Sequence, residues 1–389
     1  MDQKFLPFAL PCIAEEEINE VVDTLRSGWL TSGPKTKRFE ENFAKFIGTP
    51  HALAVNSCTA GLHLALEAIG IEPGDKIITT PYTFTATAEV IRYLGAEPLF
   101  VDIEPDTFNI DVQQIAEILK TTTGIKAILP VHFAGQASNM DAILALAKQY
   151  SLKVVEDAAH ALPAYYKGRL VGNLGDITVY SFYVTKTLAT GEGGMIVTAN
   201  PKYAERMHAL RLHGISKDVF NRSASNSPAW HYDVVAPGFK YNMNDIAAAL
   251  GIQQLNKVNI FLQRRTEIAE QYTQAFTDLP LSTPYQHPDS SHAWHLYVLQ
   301  LKLEELTIDR NNFIEHMKEA GIGTSVHFIP LHLHSYWRER YGFKPTDFPI
   351  ALDVYQRAVS LPIYPSMIDD DVQRVIEQVK LILSKHSSS

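Results

Sequence analysis

Cysteine is nearly absent from this chain of 389 residues, which contains only Cys12 and Cys58. Two cysteines so far apart suggest neither a disulfide framework nor a metal site built from thiolates. Proteins without structural disulfides are typical of reducing compartments. The scarcity of cysteine therefore excludes a scaffold held by disulfides and fits a reducing environment.

The chain also lacks a long apolar run. No segment approaches the roughly 20 consecutive apolar residues that a membrane-spanning helix needs. The first residues, 1–8, do not place a long apolar stretch behind a basic head, as a signal peptide would. We expect a cytoplasmic protein with no membrane segment.

Basic charge is in deficit, because 34 Lys and Arg face 43 Asp and Glu and leave a net charge of -9. This balance argues against a nucleic-acid-binding protein with a broad basic surface, so an anionic ligand would need a local group of donors. Apolar residues make up 46% of the chain and charged residues 20%, as in a globular protein with a substantial core. The length exceeds the size at which a single core keeps growing, which predicts two structural units.

Between about residues 50 and 200, short β-rich runs alternate with helical patterns. This alternation is typical of βαβ units and predicts an α/β fold with a mainly parallel sheet. Ligands bind such sheets beyond the carboxyl ends of the strands. The predicted strands are 52–56, 76–80, 98–102, 127–131, 153–157, 177–182 and 195–198. The residues predicted at those carboxyl ends include Asn56, Asp102, Asp157 and Phe182.

The second half of the chain has a different pattern. Residues 206–237 are rich in polar and turn-forming residues and predict a long loop. Later runs predict a smaller C-terminal α/β domain, so we divide the chain into a large domain, 1–257, and a small domain, 258–389. Helices are predicted at 60–69, 140–150, 244–255, 259–276, 311–320 and 369–384, and an apolar run occupies 294–302.

Lys186 is the most informative residue. It follows the apolar run 179–184 and precedes Gly-Glu-Gly-Gly at 191–194, so it should lie at the ligand-binding edge of the sheet. A lysine amine can form a Schiff base with an aldehyde, and an aspartate such as Asp157 can hold a pyridine nitrogen protonated. Most lysines are surface cations, and desolvation or imine formation would have to make this one a usable base. The pair predicts pyridoxal phosphate chemistry.

Other candidates each have a structural alternative. The segment 56–61, Asn-Ser-Cys-Thr-Ala-Gly, can form a phosphate site at a helix N-terminus or an ordinary helix cap. Phe84 could lie on a cofactor ring, in the core or against the start of a helix. Asp157 could pair with a ring nitrogen, or it could cap a helix or form a buried hydrogen bond. His160 could contact the cofactor or merely pack, and Ser181 could donate to a phosphate or end a strand. Their order along one sheet edge favours the functional interpretation.

These motifs resemble those of the DegT-type nucleotide-sugar aminotransferases, which are fold type I pyridoxal phosphate enzymes with an aspartate aminotransferase-like fold. The resemblance extends from 28–34 to 361–365. Segments 293–298 and 323–330 resemble the spore-coat-polysaccharide type of this family especially well. The motifs are Asn-Ser-Cys-Thr-Ala at 56–60, Glu-Asp-Ala-Ala-His at 156–160, Ser-Phe-Tyr-Val-Thr-Lys at 181–186, Gly-Glu-Gly-Gly at 191–194, Leu-His-Gly at 212–214 and Gly-Phe-Lys-Tyr-Asn-Met-Asn-Asp at 238–245.

The resemblance implies a role for each matching residue. It implies a Schiff base on Lys186, with Asp157 on the pyridine nitrogen and Phe84 over the ring. It also implies an active homodimer, because Asn242 would reach the phosphate from the partner subunit. Sugar dehydratases of this fold have histidine in place of Lys186, so the lysine favours transamination. The residues implied at the phosphate are Thr59, Ala60 and Ser181.

Substrate recognition is harder to assign. Arg222 is the best candidate for binding a diphosphate or a donor carboxylate, because relatives carry arginine there and arginine binds such groups bidentately. His327 resembles a family histidine at the substrate entrance. The spacing of His327, His332 and His334 fits no zinc pattern, so we predict no metal. Other basic residues of this region could bind the same groups or form a solvated loop surface, and they are Arg211, His213, Lys217 and Lys240.

The leading hypothesis is a pyridoxal-phosphate-dependent aminotransferase that moves an amino group from glutamate to a nucleotide-linked keto-sugar, UDP-4-keto-6-deoxy-hexose, for amino-sugar and surface polysaccharide synthesis. One alternative is a lyase or dehydratase on the same fold. Another is a non-catalytic sensor of cofactor or sugar nucleotide, which the retention of Lys186 and Asp157 disfavours. A hydrolase is disfavoured because no Gly-x-Ser-x-Gly motif occurs.

Overall fold

The computed structural model describes residues 4–215 and 232–388. Its main feature is a seven-stranded sheet in the order β1-β9-β8-β5-β4-β2-β3. Two smaller sheets have the orders β10-β12-β13 and β11-β6-β7. The strands are β1 His51–Val55, β2 Lys76–Thr79, β3 Glu97–Phe100, β4 Ile125–Ile128, β5 Lys153–Asp157, β6 Tyr165–Tyr166, β7 Arg169–Leu170, β8 Ile177–Ser181, β9 Gly194–Thr198, β10 Leu281–Ser282, β11 Ser290–Ser291, β12 Tyr297–Leu301 and β13 Ala358–Leu361.

The large sheet is mainly parallel, as the alternating pattern predicted. Strands β3, β2, β4, β5 and β8 pair in parallel, and β9 runs antiparallel to both β8 and β1. The predicted strand 153–157 has the observed bounds of β5, whereas the others shift by up to three residues. Val131, for example, lies beyond β4 and forms only an isolated bridge to Asp157. The apolar run extends further than the hydrogen-bonded ladder there.

Helices cover both faces of this sheet, and several begin where a side chain caps free N–H groups. Asp111 accepts from the N–H groups of Gln113 and Gln114, and Asn139 accepts from Ala142. The helices are α1 Glu15–Ser27, α2 Pro34–Ile47, α3 Cys58–Ala68, α4 Ala86–Tyr93, α5 Val112–Thr121, α6 Met140–Gln149, α7 Pro201–Leu210, α8 Asp245–Ala275, α9 Arg310–Glu319, α10 Ser335–Tyr341, α11 Pro349–Arg357 and α12 Asp369–His386.

The predicted loop at 206–237 begins too early, because helix α7 continues to Leu210. Asn200 caps this helix and Pro201 occupies its first turn, two signals that the loop prediction did not use. Arg206 is therefore helical, and it forms an ion pair with Glu67. The middle of the predicted loop, 216–231, lies outside the described residues.

The two helices predicted at 244–255 and 259–276 form the single helix α8 of 31 residues. The intervening residues contain neither proline nor glycine, and the buried Val258 packs into the core. Gly251 lies within the continuous helix, and a Cβ there would lie only 2.6 Å from the ring of Phe39. Close packing against helix α2 explains this glycine.

Helix α8 contributes to two cores. Ala248 and Ile252 pack with the large sheet, whereas Ile268 and Tyr272 pack with the sheet β10-β12-β13 and helices α9 and α12. The predicted boundary between 257 and 258 falls within this helix, and the division into domains stays a prediction. Among the described residues, no helix has the length and apolar character to cross a membrane.

Candidate active site

Lys186 lies in the turn after strand β8, where its backbone N–H donates to the carbonyl of Tyr183 at 2.9 Å. Its Nζ is 3.5 Å from Nε2 of His295. Part of the side chain is accessible, but protein groups enclose the amine, and this burial lowers the pKa of Lys186 to about 8; Cys58 and Asp157 oppose the shift. Roughly a tenth of such amines are neutral at pH 7, far more than for an ordinary lysine.

Asp157 ends strand β5 and is buried. Its Oδ1 accepts from the N–H of Ala159 at 3.1 Å, and its Oδ2 accepts from the hydroxyl of Thr87 at 2.8 Å. Burial raises the pKa of Asp157, while these two hydrogen bonds and the charge of Lys186 lower it. The carboxylate is thus held in place by donors and still has lone pairs for a ligand.

Three histidines, His160, His295 and His327, form what we term the histidine group beside the Lys186 amine. The rings of His160 and His295 are 4.4 Å apart, and Nδ1 of His160 accepts from the N–H of Ala134 at 3.2 Å. Burial first, and then the charge of Lys186, lowers the pKa of each, to about 3 for His327. All three are therefore neutral at physiological pH.

The segment 56–61 forms the N-terminus of helix α3. The hydroxyl of Ser57 accepts from the N–H of Ala60 at 3.1 Å, so this segment is a helix cap, as the structural alternative predicted. The cap leaves other donors, because the N–H groups of Cys58 and Thr59 have no acceptor among the described residues. Helix N-termini with such free donors favour phosphate.

Strand β9 passes close to this helix N-terminus because it has glycine there. A Cβ on Gly194 would lie 2.9 Å from the backbone nitrogen of Cys58 and 2.8 Å from the carbonyl oxygen of Tyr180. Gly194 pairs with Ser181, the last residue of β8, whose hydroxyl accepts from Tyr183 at 3.3 Å. The glycine therefore brings Ser181 and the helix N-terminus to one place.

Phe84 is not a core residue, because 60% of its side chain is exposed. Its ring lies 6.1 Å from that of Phe328, and both line a cavity of about 770 Å³. Most of the cavity wall is aromatic or apolar, with a few charged or polar groups. Other residues that line it are Glu89, Arg92, Tyr93, His334, Tyr336 and Trp337.

Asn242 forms an isolated bridge with Val55 at the end of strand β1 in its own chain. Its Nδ2 donates to the hydroxyl of Ser32 at 2.7 Å. A contact between Asn242 and a phosphate in a partner subunit stays a prediction. Arg222, the best candidate for substrate binding, and Lys217 lie outside the described residues.

The structure gives Arg211 a structural role in place of the predicted ligand contact. Its guanidinium is buried, pairs with Glu40 and donates to the carbonyl of Ala54 at 3.0 Å. His332 is buried against the carbonyl of Pro345 at 3.1 Å. Over the described ranges, no group of three or more His, Cys, Asp or Glu side chains is arranged to hold a metal.

Two site residues were missed by the sequence reasoning. Thr87 donates to Asp157 from helix α4, and His295 reaches Lys186 from a segment more than a hundred residues further along the chain. The spacing of Thr83 and Thr87 by four positions at a helix start was a usable signal for the first. No local pattern could have paired His295 with Lys186, because their contact depends on the tertiary fold.

These side chains fit pyridoxal 5'-phosphate. Lys186 provides an enclosed amine for its aldehyde, Asp157 a buried carboxylate for its pyridine nitrogen, and Phe84 an exposed ring for its face. The free N–H groups at the start of helix α3 provide donors for its phosphate, with Gly194 leaving the space. The residues that could hold the cofactor are therefore gathered at one edge of the large sheet.

The mainly parallel sheet and this set of residues define an α/β enzyme of the fold type I pyridoxal phosphate class, as predicted. The chain belongs to the DegT/DnrJ/EryC1/StrS aminotransferase family, whose model matches residues 11–380. It is accordingly a pyridoxal-phosphate-dependent aminotransferase. The family, the fold class, the enzyme class and the cofactor that the sequence predicted are confirmed.

Two similar sequences cover almost the whole chain. The spore coat polysaccharide biosynthesis protein SpsC of Bacillus subtilis is 52% identical over 381 residues, which are 97% of each chain. An uncharacterized protein of Methanocaldococcus jannaschii is also 52% identical, over 385 residues and 99% of each chain. The similarity to the spore coat protein agrees with the family type that the sequence motifs indicated.

Solved structures are similar over the same extent. A putative sugar aminotransferase of Streptococcus pneumoniae, in its PMP form, has a TM-score of 0.90 and 35% identity, with 98% of this chain and 99% of that chain covered. PseC of Helicobacter pylori, an aminotransferase of pseudoaminic acid biosynthesis, has a TM-score of 0.90 and 29% identity, with 98% and 100% covered. The fold is thus that of sugar aminotransferases.

Proposed function

We propose that this aminotransferase moves the amino group of glutamate to a nucleotide-linked keto-sugar, UDP-4-keto-6-deoxy-hexose, in amino-sugar synthesis for a surface polysaccharide. The names of the similar proteins support a sugar acceptor and a polysaccharide pathway. The cavity beside Phe84 is the observation that carries the proposal. Its volume of about 770 Å³ suits a ligand as large as a nucleotide sugar and far exceeds the needs of a small keto acid.

The cavity also has suitable chemistry. The exposed aromatic side chains Tyr93 and Tyr336 offer faces for a sugar or a base, while Arg92 and His334 offer polar groups at the wall. Arg92 already pairs with Glu97, so its charge is not free to bind a substrate phosphate. We propose that the diphosphate is bound by Arg222, which the resemblance implies, and that His327 lies near the sugar.

Pyridoxal phosphate supplies the electron sink and carries the amino group from donor to acceptor. Lys186 performs the proton transfers on carbon. As a neutral amine it would take the α-proton of the donor amino acid, and as an ammonium it would deliver a proton to the keto-sugar carbon that receives the amino group. A pKa of about 8 suits both roles near neutral pH, because both forms are available.

Two further features support this cycle. Asp157, aimed by two hydrogen bonds, favours the cationic form of the ring nitrogen and so strengthens the electron sink. The histidine group is neutral, so it adds no positive charge beside Lys186. A positive charge there would lower the pKa of Lys186 further. Sugar dehydratases of this fold carry histidine at the position of Lys186. The lysine therefore disfavours the lyase alternative.

We also propose an active homodimer in which Asn242 of one subunit completes the phosphate site of the other, and a cytoplasmic location. The resemblance supports the shared site, because the corresponding asparagine acts across the interface in relatives. The composition supports the location. Both proposals are independent of the identity of the sugar.

The test is a panel of UDP-, GDP- and dTDP-linked keto-sugars incubated with the holoenzyme and glutamate. We expect turnover of a UDP-keto-sugar, one 2-oxoglutarate for each amino-sugar, and a new amine located at C4 by NMR. The Lys186→Ala variant is the matched control and should be inactive. Turnover restricted to small amino acid and keto acid pairs would exclude the sugar assignment, and sugar consumption without 2-oxoglutarate would establish a lyase.

A further inference from the structure

Two threonine hydroxyls lie behind the Asp157 carboxylate. Thr83 and Thr87 are 2% and 1% exposed, and their Oγ1 atoms are 2.8 Å apart. Oγ1 of Thr87 is in turn 2.8 Å from Oδ2 of Asp157. The two side chains are four residues apart at the start of helix α4, so the same turn that presents Phe84 also carries this chain of hydroxyls.

The direction of the chain follows from the carboxylate. An ionised carboxylate only accepts, so Thr87 must donate its single proton to Asp157. Thr83 must then donate to Thr87, which polarises both hydroxyls toward Asp157 and strengthens each bond. The other oxygen, Oδ1, accepts from the N–H of Ala159 at 3.1 Å. Each oxygen therefore has one protein donor, and the carboxylate cannot rotate without breaking both bonds.

These donors oppose a large cost. Asp157 has no ion pair with an arginine or lysine among the described residues, and burial favours its neutral acid. The titratable groups that face it are Lys186 from the turn after β8, His132 from the segment after β4 and Cys58 from the start of α3. The Lys186 amine has a lowered pKa, and the Cys58 thiol is held neutral by burial, which raises its pKa. Hydrogen bonds thus bear much of the stabilisation of the charged carboxylate.

We propose that Thr83 and Thr87 are positioning residues that keep Asp157 ionised and aimed at the pyridine nitrogen of the cofactor. Without the Thr87 proton, Asp157 becomes a neutral acid that can donate to an unprotonated ring nitrogen but cannot favour its cationic form. Thr83 acts through Thr87 and has a smaller effect. This inference depends on the cofactor and on no property of the sugar or the amino donor.

The experiment compares Thr87→Val, Thr87→Ser and Thr83→Val in the holoenzyme. Valine keeps the shape of threonine and removes the hydroxyl, and serine restores it. Thr79→Val is the matched control, since Thr79 is also fully buried, but its hydroxyl donates to the carbonyl of Leu129 at 2.8 Å, away from Asp157. The readouts are the 15N NMR resonance of bound pyridoxal phosphate labelled at the ring nitrogen, followed against pH, and the cofactor dissociation constant.

In Thr87→Val we expect the resonance to move toward the neutral pyridine position at a lower pH than in the parent, and the cofactor to bind about 10-fold more weakly. Thr83→Val should shift in the same direction by less, and Thr87→Ser and Thr79→Val should match the parent. A parental resonance and affinity in Thr87→Val would overturn the proposal, as would an equal shift in Thr79→Val. These readouts need no substrate, so they stand or fall separately from the sugar assignment.

Discussion

The amine of Lys186 changes its protonation state close to the physiological pH range. Burial lowers the pKa of this amine by more than the nearby groups Cys58 and Asp157 raise it. The pKa therefore falls to about 8 from an ordinary value near 10.4. The neutral form that can attack an aldehyde or take a proton therefore becomes abundant as the pH rises through about 8. The protonated form persists below that value.

This titration can be measured directly in the cofactor-free protein. We predict that competitive labelling of Lys186 with acetic anhydride rises with a midpoint near pH 8, whereas exposed lysines label with midpoints near their ordinary pKa of about 10.4. In Asp157→Asn the midpoint should fall further, because the carboxylate charge is one of the groups that raise the pKa of Lys186. A Lys186 midpoint near 10, or an upward shift in the variant, would contradict the buried environment.

At the scale of elements, the start of helix α8 also organises the start of helix α2. Asp245, 1% exposed, accepts from the N–H groups of Gly33, Lys35 and Thr36 at 2.8 to 3.0 Å and from the Thr36 hydroxyl at 2.6 Å. Four donors that would otherwise be unpaired at a helix N-terminus thus converge on one carboxylate. The contact fixes residues before α2 against the segment that carries Asn242.

We predict that Asp245→Asn destabilises the protein by about 2 kcal/mol, because the amide keeps one acceptor oxygen and turns an NH₂ group toward backbone donors. Equilibrium unfolding in urea, at a fixed concentration of cofactor-free protein, measures the change. Asp278→Asn is the control, since Asp278 is exposed and the substitution should change the unfolding free energy by less than about 0.5 kcal/mol. Equal stability of Asp245→Asn and the parent would show that the donors find other acceptors.

Glycine at Gly194 has a comparable role between elements. Any side chain there would collide with the turn that begins helix α3, at a nitrogen 2.9 Å away. The close approach of β9 and α3 places Ser181 beside the free N–H groups of the predicted phosphate site. The Gly-Glu-Gly-Gly motif is thus explained by packing as well as by turn geometry.

At the scale of the whole molecule, the proposed dimer predicts that two defective subunits can repair each other. We predict that co-expression of Lys186→Ala with Asn242→Asp, each with a different affinity tag, yields mixed dimers with about half the activity of the parent dimer. One of the two sites then contains a Lys186 from one subunit and an Asn242 from its partner. The added carboxylate in Asn242→Asp should repel the cofactor phosphate in the other site.

The homodimers of each variant are the controls and should be inactive. Sedimentation velocity verifies that the purified mixed species is a dimer. If Asn242 acts within its own subunit, the mixed dimer contains no intact site and remains inactive. That outcome would remove the shared-site proposal and leave the aminotransferase assignment unchanged.

The predictability of this protein differs between its local and its long-range features. The bounds of strand β5 and the existence of helices α3, α6, α9 and α12 followed from apolar periodicity and turn residues within each segment. The sequence predicts two helices where the single helix α8 forms, because apolar periodicity alone does not reveal that Val258 is buried in the core. The composition of residues 206–237 predicts a loop that starts too early, because the cap at Asn200 that begins helix α7 lies outside that segment.

By itself, the sequence determined the α/β class, the order of the strands along the chain, and Lys186 and Asp157 as residues at strand ends. Those properties depend on neighbours in the chain, which a sequence displays directly. Only the tertiary structure decided that the histidine group surrounds Lys186, that Arg211 is committed to Glu40, and that Thr87 holds Asp157. These pairings arise because the fold brings together residues that are distant in sequence, and burial then shifts the pKa values of Lys186, Asp157 and the histidine group.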